Sequence, residues 1–444
     1  MNMTMRNSRS TFGTLLGLLK VRHTKSFTDQ HFNEHPYRYN LPGLSKMLKK
    51  QKFIFFSLSI LLIPYYSISF SVDNQVKDGI HVIDVRKNYP VKEIILTDIA
   101  DVTYLYLNTT DDDFLYRGYI NYVTDNTIVV FSERNFLFFS RDGKPKSRFN
   151  RFGNGPEEYR NAPEFVFNEN SDEIFVINAL TNYIQVYSST GEYKRKVTLP
   201  QGVQTQKISF FDDQSLLVYD EIKRLKSAYS AISREKIDFT NDKDSSLLLI
   251  SKTDGMVLEY VALPNNYKIS LSNMDNSEKS TGMWILPTCR ITKCSDGMLL
   301  CNPETDTVFL YGKDKSITPI VSKIPLLKDL DPMVYLDNCM DFGRYLFTSS
   351  RSLDKDVPDK YYMVDKKTSQ VFHPKIILPD YKGKEFLIKS SNRYFNENEY
   401  HFDLDLLELK EAFNENRLSG KLKELVSTLN ELEDNNIHLL VNFK

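Results

Sequence analysis

The stretch from Arg151 to Pro163, RFGNGPEEYRNAP, contains residue types that serve in three kinds of chemistry or structure. Its two glycines around an asparagine suggest a phosphate-binding loop, but the Walker pattern requires Gly-Lys-Ser/Thr at the start of a helix, and here Pro156 follows Gly155. Its glutamates suggest an acid/base pair, but catalytic carboxylates face a site from opposite sides, whereas Glu157 and Glu158 are neighbours. We therefore interpret the stretch as architecture.

Histidines could supply acid/base groups or metal ligands. Beyond the N-terminal region they are scattered along the chain: His81, His373, His401 and His438. No His-Glu-x-x-His pair occurs, so a zinc hydrolase is poorly supported, and no Gly-x-Ser-x-Gly elbow marks a serine hydrolase. His401 lies beside Asp403 and Asp405 and could contribute to a site, although we expect a partly exposed histidine at the start of a helix.

Two acid-rich stretches, Asp111 to Asp113 and Asp238 to Asp244, have the clustered carboxylates that calcium prefers. Neither has the spacing of a calcium loop, so we expect solvated turns. The cysteines lack the close Cys-x-x-Cys pairs of zinc sites, which predicts small buried side chains or one adventitious disulfide: Cys289, Cys294, Cys301 and Cys339. No catalytic, ligand-binding or metal residue is therefore assigned, and no cofactor is expected, with calcium left open.

These residues belong to a chain of short strands that repeats with a period of about 47 residues. In one copy, Thr127 to Phe131 and Phe136 to Ser140 are apolar strands, followed by an Arg-Asp-Gly turn and a polar strand. In the next, Glu173 to Ile177 and Tyr183 to Ser188 are followed by a Ser-Thr-Gly turn and a polar strand. Three weaker copies follow, at residues 215–263, 297–315 and 344–378.

Such repeats predict an all-β fold, a six-bladed β-propeller with four-stranded antiparallel blades over residues 80–444. The last blade is expected to be closed by both termini, with the strand-like Glu93 to Leu107 beside Ile437 to Phe443. Leucines at helical spacing predict a short C-terminal helical segment, residues 403–433, packed on the propeller. A partner-binding helix is the alternative.

The glycine-rich stretch also carries a family resemblance. Five of its residues, followed by DEIFVINALTNYIQVYSSTGEYKRKV, resemble one repeat of the NHL type of β-propeller: Gly153, Gly155, Pro156, Tyr159 and Pro163. With Asp98 to Val102 and the strand-like end after a helix, residues 90–444 resemble exported six-bladed propeller proteins of Gram-negative bacteria. The resemblance implies the fold and export, and it makes the stretch a linker between blades; most activities in that family are unassigned.

The N-terminus carries a targeting signal. Met47 to Lys52 is a basic flank and Phe53 to Ile63 an apolar core, which predicts a signal peptide at residues 47–71. A membrane anchor is the alternative, because the charge-free run to Phe70 is close to the ~20 residues that span a bilayer. Residues 1–46 are expected to be a non-native extension, disordered if made. The protein is then exported to the periplasm or cell surface of a Gram-negative bacterium.

Composition limits the partners. With 57 basic and 58 acidic residues the chain lacks the positive field that nucleic-acid binding requires. We expect a binding module that takes a glycan, a peptide or an envelope protein at the channel mouth or at inserted loops such as Glu221 to Asp244. It is expected to be a monomer that meets the membrane only through an uncleaved signal. A lyase or hydrolase acting on sugars or lactones, assisted by calcium, and a scaffold that uses the C-terminal helix are the alternatives, with enzymatic activity disfavoured but open.

Overall fold

A computed structural model describes the chain from residue 76 to residue 444, apart from residues 78, 110–111, 117, 161, 163, 179–180, 221–238, 242–245, 265–266, 270–288, 353, 355, 390–396 and 431–432. The expected extension (residues 1–46), the signal segment (residues 47–71) and most of the 221–244 insert lie outside this part of the chain.

Four strands and one short helix precede the first blade: β1 (Val76–Lys77), β2 (Ile80–Asp84), β3 (Val91–Ile95), α1 (Leu96–Ile99) and β4 (Ala100–Tyr106). They form no sheet of their own. Strands β2 and β3 each add a parallel strand to the outside of a later blade, and β4 belongs to the last blade. A 3-10 turn, Asp112–Phe114, follows.

Blades 1 to 3 place their strands in chain order across each antiparallel sheet. Blade 1 contains β5 (Tyr122–Val123), β6 (Thr127–Ser132), β7 (Asn135–Ser140) and β8 (Pro145–Phe149). Blade 2 contains β9 (Phe165–Asn168), β10 (Glu173–Ile177), β11 (Tyr183–Tyr187) and β12 (Tyr193–Thr198). Blade 3 contains β13 (Thr205–Phe210), β14 (Ser215–Asp220), β16 (Leu247–Ser251) and β17 (Val257–Val261), whereas β15 (Phe239–Asn241) pairs with β18 (Tyr267–Ile269) outside the blade.

The remaining blades carry the strands added from both ends of the chain. Blade 4 contains β19 (Arg290–Cys294), β20 (Gly297–Cys301), β21 (Thr307–Gly312) and β22 (Ile317–Ile324), and a 3-10 turn, Leu327–Asp329, follows. Blade 5 contains β23 (Val334–Phe342), β24 (Tyr345–Ser352), β25 (Lys360–Asp365) and β26 (Gln370–Ile377), with β27 (Glu385–Phe386) against β26. In blade 6 the described strands are β28 (Glu399–Leu404), β29 (Ile437–Phe443) and β4. The predicted six-bladed, four-stranded, antiparallel propeller is confirmed.

Apolar side chains hold the blades together. Middle strands such as β10, EIFVI, are buried on nearly every residue, whereas outer strands such as β12 alternate buried and exposed positions, as one solvated face requires. Six clusters of buried apolar residues fill the six interfaces between neighbouring blades. Radial packing of this kind protects the sheet edges.

The glycine-rich stretch connects β8 to β9. Tyr159 is fully buried, with its ring 5.6 Å from that of Phe136, and its hydroxyl donates to the carbonyl of Arg134 at 2.8 Å. The Glu158 carboxylate accepts from the Gly155 N–H at 2.7 Å, so it closes the loop instead of facing a site. A Cβ at Gly153 would lie 1.8 Å from that carboxylate, so a larger residue there would have to displace the Glu158 side chain. The stretch is architecture.

Two stretches differ from their predicted form. The span from Glu93 to Leu107, expected as one closing strand, is divided by α1, so that β3 joins blade 5 and only β4 joins blade 6. The segment 403–433, expected to be helical, begins within β28 and then forms α2 (Leu406–Asn414) and α3 (Gly420–Thr428). Asp405 ends the strand segment because its carboxylate accepts from the Glu408 N–H at 3.1 Å and caps α2.

Candidate functional site

The two ends of the ring differ in the connections they carry. At one end, called the linker end here, the chain passes between blades and the second strand of a blade connects to the third; at the other, the hairpin end, turns join the first strand to the second and the third to the fourth. The three longest connections all leave the linker end: residues 221–246 in blade 3, 262–289 after blade 3, and 405–436 in blade 6. Because β15 pairs with β18, the first two are hydrogen-bonded to each other.

A cleft of about 420 Å³ opens between α2, β28 and the segment before β28. This volume lies within the range of ~300–1,000 Å³ that small-ligand sites occupy. The charged residues of its lining are of both signs: Lys384, Glu385, Lys389, Asp403, Asp405 and Glu408. His401 lines it as well.

Local contacts hold several of these charges in place. The Lys384 ammonium lies 2.7 Å from the Glu408 carboxylate, one helical turn inside α2, and Asp405 caps the same helix. The Tyr400 hydroxyl accepts from the N–H of Lys389 at 3.1 Å and donates to its carbonyl at 2.9 Å. The cleft wall formed by residues 384–389 is therefore tied to β28.

Aromatic side chains lie beneath the charged lining. The ring of Phe402 lies 5.0 Å from that of Phe386 and 4.8 Å from that of Tyr400, in edge-to-face pairs. Tyr381 also lines the cleft and is almost fully buried. The cleft thus combines a rigid aromatic base with polar groups at its rim.

A chain of buried polar groups leads away from Asp403. Its carboxylate lies 2.7 Å from Nδ1 of His438, and Nε2 of His438 is in a short contact with the Tyr116 hydroxyl. Burial raises the pKa of Tyr116 well above its usual value, so this phenol keeps its proton. With both ring nitrogens engaged, His438 bridges the Tyr116 hydroxyl and the Asp403 carboxylate, which fixes the orientation of that carboxylate at the cleft.

The expected role of His401 as a partly exposed residue at a helix start is wrong. His401 lies in the middle of β28 and is 2% exposed, because the strand continues to Leu404 before α2 begins. The structure nevertheless brings His401, Asp403 and Asp405 to one cleft, as their proximity in sequence suggested. His438 and Tyr116 gave no local signal, since their partners are distant in sequence.

Ion pairs also lie where the first strands of blades 2 to 5 begin. Lys207 and Glu164 are 2.8 Å apart, with side chains 10% and 3% exposed. In the neighbouring blades, Arg290 and Arg351 lie 3.9 and 3.6 Å from the carboxylate of Asp337. The Lys207–Glu164 and Arg290–Asp337 pairs join the first strands of adjacent blades, whereas Arg351 lies in β24 of the same blade as Asp337. Together they give the linker end fixed charges of both signs.

Within the described ranges, no group of three or more His, Cys, Asp or Glu side chains is placed to hold a metal ion. Asp113 of the first acid-rich stretch pairs with Arg148 at 2.6 Å, and most of the second, residues 238–244, lies outside those ranges. All four cysteines are buried free thiols, and burial raises the pKa of Cys301 and Cys339. They act as small apolar side chains.

The chain is similar to one described family and to several solved structures. Residues 80–442 match the family described as "Domain of unknown function (DUF4934)". A structure from Bacteroides fragilis NCTC 9343, named "Putative exported protein", is 19% identical with a TM-score of 0.53 and covers 82% of this chain and 99% of its own. A member of the DUF4221 family from Bacteroides vulgatus ATCC 8482 is 9% identical with a TM-score of 0.42, covering 78% and 97%.

At 19% identity the B. fragilis protein supports the fold alone. No curated protein matches the chain. Among the helices of the described ranges, none is long and apolar enough to cross a membrane.

Proposed function

Because the chain belongs to the DUF4934 family, a domain of unknown function, we propose a function from its own geometry: it is an exported propeller that binds a glycan or a peptide segment of an envelope protein in the cleft beside β28. The observation that carries this proposal is the cleft itself, where charges of both signs surround an aromatic base at the linker end. Sites of this size with a few convergent polar groups are typical of ligand binding.

The mixed charges favour a ligand that both donates and accepts hydrogen bonds. Lys384 and Lys389 donate, whereas Asp405 and Glu408 accept. Sugar hydroxyls and peptide amides have both capacities. A polyanion is disfavoured, because the lining carries more carboxylates than lysines.

Binding is favoured over turnover because the carboxylates of the cleft already have partners. Asp405 caps α2, Glu408 pairs with Lys384, and Asp403 is oriented by His438. Carboxylates held by such contacts are suited to fixed hydrogen bonds with a ligand. Calcium is the one metal ion that the binding test should include.

Export is part of the proposal. The basic flank and apolar core at residues 47–71 have the form of a signal peptide, and the similar B. fragilis protein is named as exported. We place this protein in the periplasm or on the surface of a Gram-negative cell, with blades related to the NHL type.

The test is thermal unfolding with a panel of glycans, peptides and calcium, because a ligand of the folded state raises the unfolding midpoint by mass action. The double variant Lys384→Gln/Glu408→Gln removes two groups of the cleft rim, 39% and 57% exposed. We expect about a tenfold loss of affinity or more for any ligand of the cleft, since charge-assisted hydrogen bonds contribute about 1.5–3 kcal/mol each.

A matched control is available at the hairpin end. Lys144 and Asp142 are also 2.7 Å apart and exposed, so Lys144→Gln/Asp142→Asn removes an equivalent pair that does not line the cleft. The control should bind as the native protein does. Equal affinity in all three proteins would place the ligand outside the cleft and refute the proposal.

A further inference from the structure

Blade 3 exposes a row of large apolar side chains along its outermost strand. Met256, immediately before β17, is 62% exposed, and Leu258 and Tyr260 are 45% and 66% exposed. In the sheet of blade 3, β17 follows β16 at the edge of the order β13-β14-β16-β17. Successive exposed positions alternate with the inward Val257, Glu259 and Val261, so the row lies on one face.

The equivalent strands of blades 1 and 2 carry charged residues at the same positions. The outer strands of the three blades have their β-bulge at the same place and the same register with the strand beside them. Tyr260 pairs with Leu248 in blade 3, Lys196 with Gln185 in blade 2, and Arg148 with Leu137 in blade 1. The pattern of exposure is also the same. At the three exposed positions, blade 1 has Lys144, Lys146 and Arg148, blade 2 has Glu192, Lys194 and Lys196, and blade 3 has Met256, Leu258 and Tyr260.

This difference matters because open sheet edges are normally protected. Charged side chains, lysine above all, prevent edge-to-edge pairing. Blades 1 and 2 have that protection, and blades 4 and 5 are covered by β2 and β3. In blade 6, the exposed residues of β4 are the polar Asp101 and Thr103. The β-bulge is common to β8, β12 and β17, so it does not distinguish them; among the outer strands whose side chains are described, β17 is the one without a covering strand whose exposed residues are all apolar.

We propose that β17 is the docking edge for a second copy of this chain, paired antiparallel across a two-fold axis. The row is self-complementary: with the axis at Leu258, that side chain meets its own counterpart, and Met256 meets Tyr260 of the other copy. Such an interface is isologous and closed, so it yields a dimer and leaves no open edge.

Charge supports a second copy as the occupant. A two-fold axis brings identical residues together, so the lysines of β12 would oppose each other, whereas the apolar row of β17 brings no like charges together. The one charged residue within β17, Glu259, lies 3.5 Å from Lys315 of blade 4 and is thereby neutralised within its own copy. A single strand edge is smaller than a standard interface of ~1,600 Å², so association in the micromolar range is expected.

The first measurement is sedimentation velocity of the protein, produced from the full-length chain, over about 1 to 300 µM, a range set by that expected affinity. The weight-average sedimentation coefficient should rise from monomer to dimer with concentration. Leu258→Lys should weaken association at least about tenfold, because it places two ammonium groups opposite each other. Lys194→Ala, at the equivalent position of blade 2, should leave association unchanged.

A charge-swap pair tests direct contact. Leu258→Lys and Leu258→Glu should each be monomeric, and their equimolar mixture should dimerise, because the two-fold axis places residue 258 against residue 258. Both variants should unfold at nearly the native temperature, since the side chain is 45% exposed. A native protein that stays monomeric throughout the range, or a Leu258→Lys variant that dimerises equally, would overturn the proposal and leave an extended segment of another polypeptide as the occupant.

Discussion

Single residues show which parts of the candidate site a sequence can reveal. The motif HFDLDLLE placed His401, Asp403 and Asp405 together: the first two lie two apart in β28 and share one face, and Asp405 follows directly as the cap of α2. The rim residues Lys384 and Glu408 gave no such signal, since α2 and the segment before β28 approach each other only in the fold. Their pairing, like that of Tyr116 with His438, depends on blade geometry that no local pattern encodes.

His81 provides a pH prediction at this scale. Burial and the positive charge of Lys366 lower the pKa of His81 below 6.5, against the opposing charge of Asp341, and its Nδ1 has no hydrogen-bond partner. The folded protein therefore takes up this proton less readily than the unfolded chain, so stability is unaffected above about pH 6.5 and falls below it. Between about pH 7 and pH 5, the free energy of unfolding should fall less in His81→Gln than in the native protein, as measured by urea denaturation. Parallel pH curves would contradict this.

Strands were predicted well wherever apolar runs alternate with turn residues. TIVVF and FLFFS form β6 and β7, and the same order recurs in the next blade. The span Glu93 to Leu107 was not resolved into β3, α1 and β4, because strands added outside a blade follow no repeat period. The sequence also gave no means to compare β17 with β8 and β12, since that comparison requires their registers.

Two glycines with left-handed backbone provide a prediction at the scale of the elements. Gly143 has φ +84°, and a Cβ there would lie 2.1 Å from the carbonyl oxygen of Tyr106, at the end of β4. Gly202 has nearly the same φ, +83°, with open space around it. Gly202→Ala should therefore cost only the left-handed strain, about 1–2 kcal/mol. Gly143→Ala must also displace β4 and should cost about 3 kcal/mol or more, in urea denaturation. Equal losses in the free energy of unfolding for the two variants would show that β4 can move aside without an energetic cost.

At the scale of the whole molecule, the ring is closed by contacts between segments far apart in sequence. Strand β29 pairs on one side with β28 along six residues and on the other with β4 along seven, from Ile437 to Phe443. Asn435 reinforces this closure: it is fully buried, accepts from the Tyr116 N–H at 2.8 Å and donates to the carbonyl of Leu107 at 2.8 Å. The connection from blade 6 to blade 1 is thus fixed to the strand that closes the ring.

Asn435→Ala should loosen this closure. The change leaves the Tyr116 N–H and the Leu107 carbonyl without their partner in a buried place, and each such group costs about 1–3 kcal/mol. We expect a loss of about 3 kcal/mol in the free energy of unfolding, measured by urea denaturation. Asn154→Ala, at an exposed position, should change it by less than about 0.5 kcal/mol. A small effect at Asn435 would mean that water replaces the amide.

The pairing of β4 with β29 also imposes an order in time. A ribosome makes β4 before any complete blade, yet the strand beside it, β29, is the final one of the described chain to emerge. Blades 1 to 5 can form while β4 waits, but contacts of such sequence separation are slow to form and require the intervening chain first. The nascent protein therefore stays an open arc until β29 has been synthesised and can take its place beside β4.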